Sequence, residues 1–291
     1  MELTAVVVDY RTPTLEGLVD ALIEAGVPQI IVVDNAAPEA AHVQEASSSG
    51  EVIRIAAGKN LGYGAAVNWA ATLCSSDSIL LLNPDVSIGR EAIERLAATL
   101  ASSPGAAAVG PLTLTASGEP YPSFRRFPTL LDAGMHAVLG LLWPSNPGSR
   151  RYRLESAAPA SAVEVPWISG ACMMLSRRWF RRIGGFDPAY FLYLEDVDLC
   201  RRFHLAGGQV VFDPGAVITH YGQLSSGGAR FRSLLHHHRS LLRYGLREYR
   251  SLPRGLMVMA GVAVRLAAVS AKAFAARERE PFRGGGSEHD W

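Results

Sequence analysis

The stretch Ser78-Ile79-Leu80-Leu81-Leu82-Asn83-Pro84-Asp85 is an apolar run that stops at an amide, a proline and a carboxylate. Aliphatic side chains in series with turn residues directly after them predict a fully buried strand, and Pro84 bars any simple continuation of the ladder. In an open α/β sheet ligands sit outside the carboxyl ends of the strands, so Asn83 and Asp85 stand where chemistry is usually done.

The chain before this stretch supplies the partners such a strand needs. Leu3–Val8 reads as a buried strand ending at Asp9-Tyr10-Arg11, Pro13–Ala25 has helical apolar spacing, and Gln29–Val33 is a second strand ending at Asp34-Asn35. Strand, helix and strand within some thirty residues make a βαβ unit, and Val- and Ile-rich runs without alternation suit a parallel sheet. Glu51–Ile55 is a short third strand that feeds Asn60-Leu61-Gly62-Tyr63-Gly64-Ala65-Ala66-Val67-Asn68 and a small-residue helix through Leu73. Glycines at a helix start let the backbone come close to a ligand, and free helix N–H groups favour a phosphate. A tight turn packed on the sheet explains the same spacing, and the dinucleotide fingerprint is absent.

After Asp85 the pattern gives a helix over Gly89–Leu100, a short strand over Ala107–Gly110, a helix over Leu130–Leu142 and an irregular Arg150–Ala162 stretch of the kind that covers a site. Val163–Leu175 is strand-like with a mid-run glycine, Arg177–Ile183 is a short basic helix, and Gly184-Gly185-Phe186-Asp187-Pro188 is a turn. Glu195, Asp196 and Asp198 then open a helix. The dipole favours acids there, yet idle carboxylates beside the Tyr190–Tyr193 aromatic run would be costly to bury. Gln209–Phe212 and Ala216–His220 read as two strands, and His220 with Asp85 forms a pair suited to a divalent transition ion. His236-His237-His238, on a helix over Phe231–Tyr244, point around that helix rather than at one ion.

Among 291 residues, 48% hydrophobic and 19% charged content is globular composition, and a net charge of +1 gives no reason to expect nucleic acid. Cys74, Cys172 and Cys200 lack metal-ligand spacing and read as reduced thiols; with no signal peptide apparent, a cytoplasmic location is expected. Seven arginines from Arg230 to Arg254 share their segment with one acid, Glu248, and apolar Leu256–Ala276 follows, interrupted by Arg265 and Lys272. That tract suits a surface helix on anionic lipid at the inner face of the cell membrane, or a homo-oligomer interface, better than a spanning helix.

Asn60-x-Gly-x-Gly-x-x-x-Asn68, Asn83-Pro84-Asp85, Gly184-Gly185-Phe186-Asp187 and Leu194-Glu195-Asp196-Val197-Asp198, in this order, resemble the family 2 glycosyltransferases, and more narrowly their bacterial rhamnosyltransferase-like branch, from about Thr4 to Ser225. The resemblance implies a GT-A α/β fold: a Rossmann-like, mostly parallel sheet with helices on both faces and a C-terminal helical extension. Its catalytic domain would span 1–228, with a nucleotide-binding half over 1–110 and an acceptor-binding half over 111–228, then a helical extension over 229–280 and a flexible tail over 281–291. By the same resemblance Asp9, Tyr10, Arg11, Asp34, Asn60, Gly62, Gly64, Asn68, Asn83 and Asp85 line the nucleotide sugar. Asp85 and His220 hold Mg²⁺ or Mn²⁺, Asp196 is the general base with Glu195 orienting it, and Trp167, Ser169, Gly170, Gly185, Phe186 and Asp187 face the acceptor. Asn83 stands where the family often has a carboxylate. From the residues alone, Trp167 stacks on a sugar or belongs to the core, and Asp187 binds a hydroxyl or caps its turn. The implied reaction is inverting transfer from dTDP-L-rhamnose to a lipid-linked or polysaccharide acceptor. Galactofuranose, glucose or N-acetylglucosamine as the sugar, or a non-catalytic carbohydrate-binding assembly protein, are the competing readings.

Overall fold

A computed structural model describes residues 2–47, 50–127, 159–222, 230–249, 251, 253–264 and 267. The helix expected over Leu130–Leu142, most of the 150–162 stretch and the 281–291 tail lie outside these residues. Strand β1 (Leu3–Asp9) is central, with β2 (Gln29–Asp34) and β5 (Ser78–Leu82) parallel on either side; Val6 stands opposite Ile31 and Leu81. Beyond β2 lie β4 (Gly50–Ala57), parallel, and then the edge strand β3 (Ala40–Ser47), antiparallel. Beyond β5, β12 (Cys172–Ser176) runs antiparallel to both β5 and β7 (Ala106–Leu114), and β13 (Gln209–His220) runs parallel to β7. The parallel half is the one the strand–helix–strand spacing predicts, and reversing β12 joins the second half to it in one sheet. Short strands complete the edges. Strand β6 (Val86–Ser87) and β10 (Val163–Glu164) pair with β13, β8 (Pro120–Tyr121) pairs with β7, and β9 (Phe124–Arg125) forms a separate ladder with β11 (Trp167–Ile168).

Alternation along the central strands loads two faces. Ala5 and Val7 with Leu80 and Leu82 meet helices α1 (Leu15–Glu24) and α3 (Arg90–Ser102). Val6 and Val8 with Ile79 and Leu81 meet α2 (Tyr63–Leu73), α4 (Arg177–Arg182) and α5 (Glu195–Leu205). Both faces of β5 are therefore closed from water, which is why its four aliphatics run without a polar break; each contributes roughly 1.5–3 kcal/mol of burial. Helix α6 (Arg230–Glu248) then lies against the 187–201 region.

Three expectations about elements change. Edge strand β3 has no predicted counterpart, because Ala40-Ala41-His42-Val43-Gln44-Glu45-Ala46-Ser47 carries one β-branched residue and no alternation. The Gln209–Phe212 and Ala216–His220 runs are one strand. Its register shifts between Asp213 and Val217, where Arg95 Nε (2.8 Å), Thr99 Oγ1 (2.5 Å) and Gly215 N–H (2.9 Å) all donate to the buried Asp213 carboxylate and fix the bulge that Pro214 occupies. The Val163–Leu175 run, conversely, splits into β10, β11 and β12.

Candidate active site

The carboxyl ends of β1, β2 and β5 open on one edge of the sheet. Strand β6, directly after Asp85, pairs with the end of β13 so that His220 stands opposite Val86. This register brings two residues 135 positions apart together: His220 Nε2 lies 3.1 Å from Asp85 Oδ1, and the Tyr221 N–H donates to the Asp85 carbonyl at 3.0 Å. The Asp85 side chain is buried against the sheet edge. Among the described residues no group of three or more His, Cys, Asp or Glu side chains is placed to hold one metal ion. A divalent ion at this pair would thus have two protein donors, leaving other positions to phosphate oxygens and water. That is how Mg²⁺ is usually held, and carboxylate plus imidazole suits Mn²⁺ as well, so the residues fit such an ion.

The acid pair stands across two residues, Gly170 and Ala171, from this corner. The Asn83 N–H donates to the Ala171 carbonyl (2.9 Å), and the Gly170 N–H donates to Asp196 Oδ2 (2.9 Å). The Val197 N–H takes Asp196 Oδ1 at 2.8 Å. The turn that delivers the pair is strained: Tyr193 and Leu194 both have left-handed backbones (φ 68° and 63°), a conformation that persists in non-glycine residues only when surroundings over-determine it. Glu195 is 8% exposed, and its buried Oε2 accepts no hydrogen bond from the described residues. Burial, and then the charge of Asp196, push its carboxyl from the ordinary 4.5 to about 8. Burial raises Asp196 too, while the Gly170 and Val197 amides and the charge of Arg125 pull it back toward the ionised form. The two carboxyls are thus held unequally, one with its Oε2 unpartnered among the described residues and one with both oxygens on amides.

On the nucleotide side several candidate side chains are engaged by their own loops. Asp9 accepts the Arg11 and Thr12 N–H groups (3.0 Å each), Asp34 accepts those of Ala36 (2.7 Å) and Ala37 (3.1 Å), and Asn60 accepts that of Gly62 (2.9 Å). These side-chain oxygens, two of carboxylates and one of an amide, shape the turns; Tyr10 stays exposed. Gly62 (φ 81°) and Gly64 are required by the protein itself. A Cβ at Gly62 would lie 2.5 Å from the Phe191 carbonyl oxygen, and one at Gly64 2.8 Å from Phe186 Cβ. Asn68 reaches the same segment, donating to the Phe186 carbonyl and accepting its N–H at 2.8 Å each.

On the acceptor side Trp167 is in the core. It is 6% exposed and its indole N–H donates to the Arg126 carbonyl (2.9 Å), so the ring packs instead of standing free for a sugar. Phe186 is buried, Gly185 sits against Asn68, and the Ser169 hydroxyl accepts the Ala171 N–H at 3.3 Å. Asp187 caps its turn through the Ala189 N–H (3.0 Å) and receives Arg243 (2.9 Å) and Arg247 (3.2 Å). Burial opposes its ionisation, but that amide and the two arginines outweigh burial and hold the carboxyl below the usual range. Of the six residues expected to face the acceptor, Gly170 has the direct tie to Asp196.

Sequence reasoning passed over Asn35, Tyr63 and Arg125. Asn35 is buried and donates to the Gly62 carbonyl (3.2 Å), anchoring the glycine loop to β2. The Tyr63 hydroxyl donates to the Gly170 carbonyl (3.1 Å); burial, and then Glu195 and Asp196, drive its phenol far up, so it stays a neutral donor. Arg125 lies over the rings of Tyr121 (6.0 Å) and Trp167 (5.7 Å). A polar residue inside the glycine loop was a usable signal for Tyr63; the other two depend on contacts that no local pattern carries.

Solved structures share this architecture. GalNAc-T7 with UDP, GalNAc and Mn²⁺ matches with a TM-score of 0.58 at 14% identity, over 97% of this chain and 58% of that one. The mannosyltransferase PcManGT from Pyrobaculum calidifontis in complex with GDP-Man and Mn²⁺ matches with a TM-score of 0.56 at 15% identity, over 97% and 82%. The fold is that of the GT-A glycosyltransferases. The model of "Glycosyltransferase like family 2" matches residues 3–236, and the chain belongs to that family. It is similar to the N-acetylglucosaminyl-diphospho-decaprenol L-rhamnosyltransferase of Mycobacterium tuberculosis (strain ATCC 25618 / H37Rv), 36% identical over 222 residues and 72% of each chain. It is also similar to rhamnosyltransferase WbbL of Escherichia coli (strain K12), 30% identical over 126 residues, 43% of this chain and 45% of that one. The protein is a glycosyltransferase, resembling the rhamnosyltransferase branch of its family.

Proposed function

We propose that this glycosyltransferase moves L-rhamnose from dTDP-L-rhamnose, with inversion, onto an N-acetylglucosamine-bearing polyprenyl diphosphate. The sugar and acceptor come from the similarity to the mycobacterial enzyme. The single observation that supports the chemistry is the link from the Asn83–Asp85 turn, where Asp85 meets His220, through Ala171 and Gly170 to Asp196. Asp9, Asp34 and Asn60 shape the turns that would receive the nucleotide, and the Gly62–Gly64 loop keeps the start of α2 beside them.

In this reading Asp196 takes the proton of the acceptor hydroxyl as its oxygen bonds to the anomeric carbon, while the bond from that carbon to the diphosphate oxygen breaks on the opposite face. One in-line displacement inverts the centre. Unequal environments for two neighbouring carboxyls support unequal roles: Asp196 is the base, and Glu195, which keeps its proton up to about pH 8, orients it or the acceptor. A divalent ion at Asp85 and His220 would supply charge stabilisation for the leaving diphosphate.

Turnover and thermal-shift measurements against dTDP-, UDP- and GDP-sugars, with and without Mn²⁺, test this. The expected outcome is preference for dTDP-L-rhamnose and loss of about 10²-fold or more of turnover in Asp196→Asn with donor binding retained. Undiminished turnover in that variant removes the base assignment, and preference for a GDP-sugar removes the donor.

The C-terminal region supports a contact with lipid that suits such an acceptor. No helix among the described residues is long and apolar enough to cross a membrane. Leu256, Met257, Met259 and Val264 are nonetheless exposed on the helical 253–264 segment, with Leu235, Leu246, Arg239 and Arg254 exposed nearby in sequence. An apolar face flanked by arginines fits an anionic bilayer surface.

A further inference from the structure

We infer that α6 acts as the positioning clamp for the carboxylate pair, with His236 and Ser240 as positioning residues; this rests on the proposed role of Glu195 and Asp196. The turn from Phe191 to Leu194, which delivers the pair, carries two successive left-handed non-glycine residues. Such a backbone needs external restraint, and α6 supplies it. The His236 ring stacks on Phe191 with centroids 4.3 Å apart and planes 25° apart, His237 meets Tyr193 edge-on at 5.4 Å, and the buried Ser240 hydroxyl donates to the Leu192 carbonyl at 2.9 Å. Phe191, Leu192 and Tyr193, three successive residues that lead into Leu194, are thus met by α6. About two turns further along, Arg247 bridges Asp187 at 3.2 Å and Asp198 at 2.9 Å, tying both ends of the segment to the same helix.

The opposite side of the turn is fixed by the nucleotide-binding half, where the Tyr63 N–H donates to the Phe191 carbonyl at 3.1 Å. The turn is gripped from two sides, and α6 is the side that the sequence reads as an appended extension. Misplacing a reacting group by an ångström costs rate with little change in donor affinity. The clamp therefore acts on kcat.

His236→Ala, Ser240→Ala and the ring-preserving His236→Phe form the test, read by kinetics, melting temperature and hydrogen exchange of the 187–198 backbone. The two alanine variants are expected to lose about tenfold in kcat, with donor KM within about twofold and melting temperature little changed; His236→Phe is expected to restore kcat. Exchange should rise in 187–198 and not in β1 or β5. Wild-type kcat in both alanine variants overturns the clamp. So does a loss of kcat that follows melting temperature and is not rescued by phenylalanine. A wild-type protein that turns over no nucleotide sugar overturns the proposed reaction instead. Exchange then still judges α6: a rise confined to 187–198 upholds the restraint, and none removes it.

Discussion

Glu195→Gln should make the protein more stable at alkaline pH. Glu195 is 8% exposed, its Oε2 lacks a donor, and burial first and Asp196 second raise its carboxyl from 4.5 to about 8. The folded chain therefore holds a proton that the unfolded chain releases above about pH 4.5. Stability from this group is fully present below the unfolded value and is lost as pH rises through the folded one. At about 1.4 kcal/mol per pH unit, the loss across that window is on the order of 3–5 kcal/mol, a large part of the 5–15 kcal/mol typical of a folded domain. Glutamine keeps the shape and never ionises. Urea unfolding of the metal-free proteins should give similar midpoints for wild type and variant near pH 5. The gap should widen in favour of Glu195→Gln up to pH 9. Midpoints that stay parallel across this range would refute a buried, proton-holding Glu195.

Asn68→Ala should destabilise by roughly 2–4 kcal/mol in the same assay, since it leaves the Phe186 N–H and carbonyl without their 2.8 Å partners. A change below about 0.5 kcal/mol would mean that water replaces the amide. Anionic vesicles should float the full chain, and Leu256→Glu with Met257→Glu should abolish flotation, both side chains being more than half exposed. Undiminished flotation of that variant would remove these two side chains from the lipid contact, and its conversion from dimer to monomer without any flotation of the wild type would replace that contact by a subunit interface.

Much of the fold is legible locally because β1, β2 and β5 are buried on both faces, and unbroken aliphatic runs announce that. The Asp85–His220 pair is legible for a related reason: His220 ends β13, Asp85 lies in the turn that follows β5, and the carboxyl ends of both strands lie on one edge of the sheet. The fate of polar residues in turns is not legible in this way. Whether Asn68 meets a ligand or Phe186 depends on a partner 118 positions away, and Asp187 depends on arginines of α6 that composition alone assigned to an open basic surface. Trp167 stood equally for core or sugar platform until Arg126 supplied its acceptor. The sequence marks glycines 62 and 64 as positions where a ligand can come close to the backbone; the surface that approaches them in the structure is the 186–191 segment of the chain itself.

Phe191 is where the two halves of the molecule exchange information. Its carbonyl receives the first N–H of α2, its backbone lies against Gly62, and its ring lies on His236. A donor that moves the glycine loop therefore works on the same few atoms as an acceptor that moves the acid-bearing turn. Thermodynamic linkage then makes the coupling reciprocal: whatever factor a bound nucleotide sugar adds to acceptor affinity, bound acceptor adds to the affinity for the nucleotide sugar. An ordered preference between the two substrates would be written in the contacts of this one aromatic residue.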